Sequence, residues 1–154
     1  LYLSKKIKYQ PNLITSGRKL NDSMHKVLAK IFLEKLFEKF EKKKILKILI
    51  LGYTFKENCP DRRNTRINYL INSLKHKNLQ IDLYDPYIKK IDKKNFPATV
   101  LKSKPQKKYD SIILTVPHRQ FIKDSNYYLS IIKSKGFIFD IKNSLPKNDK
   151  IIKI

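Results

Sequence analysis

Apolar residues along this 154-residue chain fall into two kinds of pattern. Met24, Val27, Leu28, Ile31, Phe32, Leu36, Phe37 and Phe40 recur at spacings of three and four. That spacing lines one face of a helix, and the other face carries Lys30, Glu34, Lys35, Glu38, Lys39 and Glu41. Asn21, Asp22 or Ser23 is placed to cap the first turn. A helix is therefore predicted over 21–43, with residues 1–20 as a connector. Its length is about 30 Å at ~1.5 Å per residue. Packing on a core accounts for so long a stripe, and a subunit interface along part of it is the alternative.

From residue 45 the pattern changes. Residues 45–51 are apolar except for Lys47 and end at Gly52, as in a strand buried on both faces. Residues 66–77 read as a helix with Ile67, Leu70, Ile71 and Leu74 on one side. Leu79 to Tyr84 alternates and stops at Asp85-Pro86, which predicts a second strand. Residues 88–108 are Lys-rich and suggest no element. Ser111 to Val116 predicts a third strand, Pro117-His118 a turn, and the segment through 133 a helix. Gly136 to Asp140 predicts a fourth strand, and residues 150–154 a short one. Strands alternating with helices define an α/β domain over 44–154, a mostly parallel sheet with flanking helices. Ligands of such sheets sit at the carboxyl ends of strands. The unusual residues cluster there: Gly52 to Asn64, Asp85, Pro117 to Phe121, and Asp140 to Asn143.

Composition removes several classes. A lone cysteine, Cys59, excludes a disulfide framework and a cysteine-based zinc site. The three His with scattered acids show no metal-ligand spacing. No apolar run approaches the ~18 residues of a membrane span, and Lys5, Lys6 and Lys8 interrupt the one candidate leader segment. The formal net charge is +22, which invites a nucleic-acid reading. The distribution argues against it. Lys supplies 30 of 35 basic residues and is spread along the whole chain beside 21 Ile and 11 Asn. Phosphate grooves draw on the bidentate fork of Arg. The first residue is Leu1 and the one Met is Met24, so the chain is expected to be the C-terminal part of something longer.

The loop after the first strand holds the candidate chemistry. Asp85 at the second strand end could be the ribose acid of a dinucleotide site. Gly52, however, is the only glycine of this turn, so the Gly-x-Gly-x-x-Gly cradle is missing. An aromatic ring at Phe55 beside the ammonium of Lys56 suits a nucleotide, the ring on the base and the charge on phosphate. A solvated loop braced by an Asp–Arg pair fits these residues equally. Cys59 has no histidine near it in sequence to activate it and reads as structural. His118 opens the turn after the third strand, either close to a ligand or satisfied by local hydrogen bonds.

Residues 50–66, Ile-Leu-Gly-Tyr-Thr-Phe-Lys-Glu-Asn-Cys-Pro-Asp-Arg-Arg-Asn-Thr-Arg, resemble the start of the C-terminal domain of the UDP-glucose/GDP-mannose dehydrogenase family. The nearest branch oxidises UDP-N-acetylhexosamines for surface polysaccharides. Three further segments are similar in order and spacing: residues 17–24, Tyr84-Asp85-Pro86, and residues 109–121. The resemblance implies a Rossmann-like domain that grips the UDP end of a UDP-sugar, preceded by a long central helix that builds a homodimer. It implies a cytoplasmic NAD-dependent 6-dehydrogenase whose NAD domain and catalytic Cys lie upstream of Leu1, so that this segment binds no cofactor and is inactive alone. Cys59 is then not the nucleophile. Phe55 and Lys56 match the family's nucleotide-contacting pair. Asp61 and Arg63 match a loop-bracing pair. Lys142 stands where the family often has Arg and is taken as a third substrate contact; Lys keeps the charge and loses the fork. Arg62 replaces a usually apolar residue. A stand-alone basic nucleotide- or RNA-binding module, or a decayed remnant, are the competing readings.

Overall fold

The computed structural model describes residues 6, 8–40, 45–88, 90, 91 and 96–154. Helix α1 spans Asn12–Lys39, strand β1 Leu46–Leu51, helix α2 Ile67–Ser73 and strand β2 Leu79–Tyr84. A short strand β3, Thr99–Val100, precedes β4, Tyr109–Leu114. Helices α3, Arg119–Lys123, and α4, Ser125–Ser130, lead to β5, Ile132–Asp140, and then β6, Ile151–Lys153.

All six strands pair in parallel in the order β3-β2-β1-β4-β5-β6. The chain steps outward from β1 to β3, crosses back to β4, and steps outward the other way. The connections after β1 and β4 therefore leave in opposite directions, and a crevice opens outside the carboxyl ends of these two neighbours.

Burial explains the apolar runs. Leu46, Ile48 and Ile50 of β1 pack in a layer with Ala29, Phe32 and Leu36 of α1 and Leu70 and Ile71 of α2. Leu49 and Leu51 face Phe121 and Tyr128 on the other side. A strand covered on both faces leaves little room for polar positions. The Phe32 ring holds α1 to the sheet, 5.8 Å from the Phe137 ring and 5.5 Å from that of Phe139.

The structure departs from the sequence reading in several places. Helix α1 begins at Asn12, so residues 12–20 belong to it and not to a connector. Pro11 takes the position before the first turn, where a missing N–H costs no helical bond. None of the expected caps acts as one: Ser23 Oγ donates back to Leu20 O at 2.9 Å, and Asp22 pairs with Arg66. Residues 1–5, 7 and 41–43 lie outside the described residues. The apolar stripe divides: Phe32 and Leu36 are buried, whereas Met24 and Val27 are 39% and 45% exposed. Strand β5 starts at Ile132, inside the segment expected to be helical. Ile132 pairs with Tyr109, then the register slips so that Phe137 pairs with Ser111. Gly136 sits in that slip, where a Cβ would lie 2.6 Å from Asp110 O. Strand β3 falls in the Lys-rich stretch; two residues have no period to read, and their strand exists through pairing with Asp82 and Leu83. Residues 89 and 92–95 of that stretch lie outside the described residues. No helix among the described residues is long and apolar enough to cross a membrane.

Candidate functional site

Strand β1 ends at Gly52, which holds φ +96°. A Cβ there would lie 2.6 Å from Val116 Cβ and 2.7 Å from Val116 O. Only glycine therefore lets the end of β1 pass beneath the end of β4. Thr115 Oγ1 ties the two strand ends, 2.9 Å from Leu51 O and 2.6 Å from Gly52 O.

The chain then turns over a buried carboxylate. Asp85 Oδ2 accepts the Tyr53 N–H at 2.6 Å and the Thr54 N–H at 3.1 Å, and Oδ1 accepts the Tyr87 N–H at 2.8 Å. His118 Nε2 lies 3.1 Å from Oδ2. Burial works to raise this carboxyl, but the bonds from His118, Tyr87 and Tyr53 outweigh it and hold the group below its ordinary value. Asp85 is 2% exposed. As a ribose acid it would have to offer its oxygens to a ligand, whereas both oxygens of Asp85 are taken by backbone N–H groups and the His118 ring. With Gly52 set against Val116 as well, this edge does not fit a dinucleotide.

His118 continues the network. Its Nδ1 accepts the Asn58 N–H at 2.8 Å, so Nε2 is the protonated nitrogen and donates toward Asp85. Thr54 Oγ1 lies 3.3 Å from Nε2 and donates its own proton to Lys56 O at 2.9 Å. Asn58 holds φ +56°, a left-handed conformation that Asn tolerates, and its Oδ1 accepts the Arg119 N–H at 2.9 Å. The loop over residues 53–58 is thus fastened at both ends to buried groups.

Between those fastenings lie the residues singled out in the sequence. Phe55 is 49% exposed, and the Lys56 ammonium stands 5.8 Å from its ring centroid. Lys142 arrives from the turn after β5, where Asp140 accepts the N–H groups of Ser144 and Leu145 at 2.7 Å each. The Lys142 ammonium pairs with Glu57, and this bond is the main cause lowering the Glu57 carboxyl. The β1 loop and the β5 turn therefore meet above the crevice, through a residue that sequence reasoning passed over. Asp61 accepts from Arg63 Nε at 3.0 Å and from its terminal nitrogen at 2.9 Å. The guanidinium holds the Asp61 carboxyl down at about 2. This pair faces solvent, while the Phe55 N–H donates to Asp61 O at 2.8 Å and closes the loop. Arg62 turns away and donates to Lys90 O at 3.1 Å. Cys59 is a half-buried free thiol.

Six parallel strands in this order, with the connections after β1 and β4 leaving in opposite directions, define a Rossmann-like domain. A family model described as the UDP-glucose/GDP-mannose dehydrogenase family, UDP binding domain, matches residues 49–147, and the chain belongs to that family. It is 33% identical to a UDP-N-acetyl-D-glucosamine 6-dehydrogenase of Salmonella typhi over 98% of this chain and 36% of that protein. It is 31% identical to Protein CapL of Staphylococcus aureus over 95% of this chain and 35% of that protein. The chain thus spans about a third of the length of these relatives. A solved UDP-D-ManNAc dehydrogenase of Pyrococcus horikoshii shares the fold, with TM-score 0.76 and 19% identity, over 97% of this chain and 34% of that one.

Proposed function

We propose that this chain is the part of an NAD-dependent UDP-sugar 6-dehydrogenase that grips the nucleotide end of the substrate. One observation carries the reading: the loop bearing Phe55 and Lys56 and the turn bearing Lys142 meet at the strand ends, joined through Glu57. The exposed Phe55 ring offers a face for the base. The ammonium groups of Lys56 and Lys142 offer charge to the diphosphate. NAD, which would accept hydride in the oxidation, is held outside these residues, since the edge at Gly52 and Asp85 does not fit it. The contribution of this segment is to fix one end of the substrate so that its sugar is presented to catalysts elsewhere. Binding remote from the reacting carbon acts through orientation. Such a nucleotide-sugar enzyme works in the cytoplasm, supplying surface polysaccharide synthesis.

Calorimetric titration with UDP-N-acetylglucosamine is expected to show binding to this chain. Lys56→Ala is expected to weaken it by about tenfold or more, the loss of one charge-assisted hydrogen bond. Equal affinity in the variant would overturn the assignment of Lys56.

The proposal includes a homodimer through α1. A groove of about 750 Å³ runs along this helix, with Ala29, Leu33 and Phe37 at its apolar floor and Lys26, Lys30, Glu34 and Glu38 around it. Met24 and Val27 are also exposed on this helix, and a second copy of α1 would offer apolar side chains to cover them. Sedimentation should show a dimer for the chain and a monomer for Val27→Glu. A monomeric parent chain at tens of micromolar would count against this interface.

A further inference from the structure

We infer that His118 is a positioning residue for the nucleotide-gripping loop, and that only its neutral form with the proton on Nε2 holds the loop in place. The inference rests on the reading of residues 55 and 56 given above. It assigns a role to a histidine that touches neither of them.

The geometry leaves the ring little choice. His118 is fully buried, and its own N–H donates to Val116 O at 2.9 Å. Its ring lies between those of Tyr87, at 5.0 Å, and Phe121, at 5.2 Å. One nitrogen faces Asp85 and the other faces the Asn58 N–H. Each nitrogen thus has one assigned task. The Asp85 carboxylate needs a donor, and the Asn58 N–H needs an acceptor.

The groups facing the ring come from three elements. The β1 loop supplies Thr54 Oγ1, the Asn58 N–H and, at longer range, the Glu57 carboxylate. The turn after β2 supplies Asp85 and Tyr87. Helix α3 supplies Phe121, and Arg119 follows His118 directly. A second proton would find support from Asp85 and Glu57. It would have to sit on Nδ1, where it meets the Asn58 N–H head on. The donor–acceptor bond at 2.8 Å then becomes two opposed donors. Asn58 must move, and with it the end of the segment that carries Phe55, Lys56 and Glu57. The start of that segment stays fixed, because Tyr53 and Thr54 bind Asp85 directly. Protonation therefore releases one end of the loop only, which predicts weaker ligand binding in a folded protein.

His118→Asn tests this. The asparagine Oδ1 occupies the place of Nδ1 and accepts from Asn58, but it takes up no proton. UDP-N-acetylglucosamine is the probe, because its diphosphate is a diester of constant charge across the range. On acidification from about pH 8 to about pH 5, affinity of the parent chain is expected to fall about tenfold, the effect of one unmet buried donor. The His118→Asn variant, which leaves Asp85 without its ring donor, is expected to bind more weakly than the parent at the upper pH and to stay flat on acidification. Nitrogen NMR of the ring is expected to show the proton on Nε2 at the upper pH. The Asn58 amide should shift in step with the loss of binding. A proton on Nδ1, or the same fall in both proteins, would overturn the inference while leaving the binding assignment intact. No binding by the parent chain at any pH would overturn both. The NMR measurement on the parent chain decides the matter even where the variant does not fold.

Discussion

Replacing Asp85 by alanine is expected to cost about 3–5 kcal/mol of folding stability, the range for breaking a buried charged network by removing one partner. The carboxylate serves three backbone N–H groups and the His118 ring at once. Alanine leaves all of these donors buried and unmet. Urea unfolding at neutral pH measures the loss, and a change below about 1 kcal/mol, the worth of a single ordinary hydrogen bond, would sink the account. The pH dependence has a definite sign. Asp85 titrates below its ordinary value in the folded state, so its contribution is complete above the unfolded carboxyl value of about 3.9. It fades as pH falls through the lower, folded value. The stability gap between parent and Asp85→Ala should therefore narrow in acid. Binding of UDP-N-acetylglucosamine should also be lost, because Tyr53 and Thr54 no longer hold the start of the gripping loop.

Gly52→Ala is the second large effect. The residue sits at φ +96°, which costs an L-residue roughly 1–2 kcal/mol. The added methyl would also lie 2.7 Å from Val116 O and 2.8 Å from Val116 N. These are backbone atoms of the neighbouring strand end, so no rotamer change relieves the contact. Overpacking of this kind adds roughly 1–3 kcal/mol. The expected sum is about 2–5 kcal/mol, read by thermal or urea unfolding. A fully stable Gly52→Ala chain would show that the ends of β1 and β4 can part without cost. The two substitutions share the network at the strand ends, so their effects should not simply add.

The sites of these predictions were visible in the sequence to different degrees. Gly52 was legible as the end of an apolar run, and the matched segment around it pointed to the family. Its reason for being glycine was not legible, because Val116 lies far along the chain and reaches Gly52 only once β4 is inserted beside β1. Asp85 was legible as a polar stop after an alternating strand. Whether it faced a ribose or the interior depended on where the Tyr53 and Thr54 amides came to rest. Asn58 and His118 gave weaker signals still, an Asn in a loop and a lone His after a strand. Glu57 gave none.

The elements themselves followed from periodicity where burial imposes one. Residues 45–51, 79–84 and 109–116 are apolar in strand-like ways because the sheet is covered on both faces. The start of α1 escaped because its first turns touch no core: Leu13 and Leu20 are 88% and 60% exposed, so no apolar stripe marks them. Strand β3 escaped because a two-residue bridge carries no pattern.

The alternation of strands and helices, the family segment at 50–66, and the charged and aromatic residues at the strand ends are all legible in the chain. Local spacing and side-chain chemistry are sufficient for these. The strand order that brings β4 against β1, the inward turn of Asp85, the approach of His118 to Asn58, and the meeting of Lys142 with Glu57 emerge only in the folded chain. Each of these is a contact between segments remote in the chain, and no local pattern encodes the distance between them.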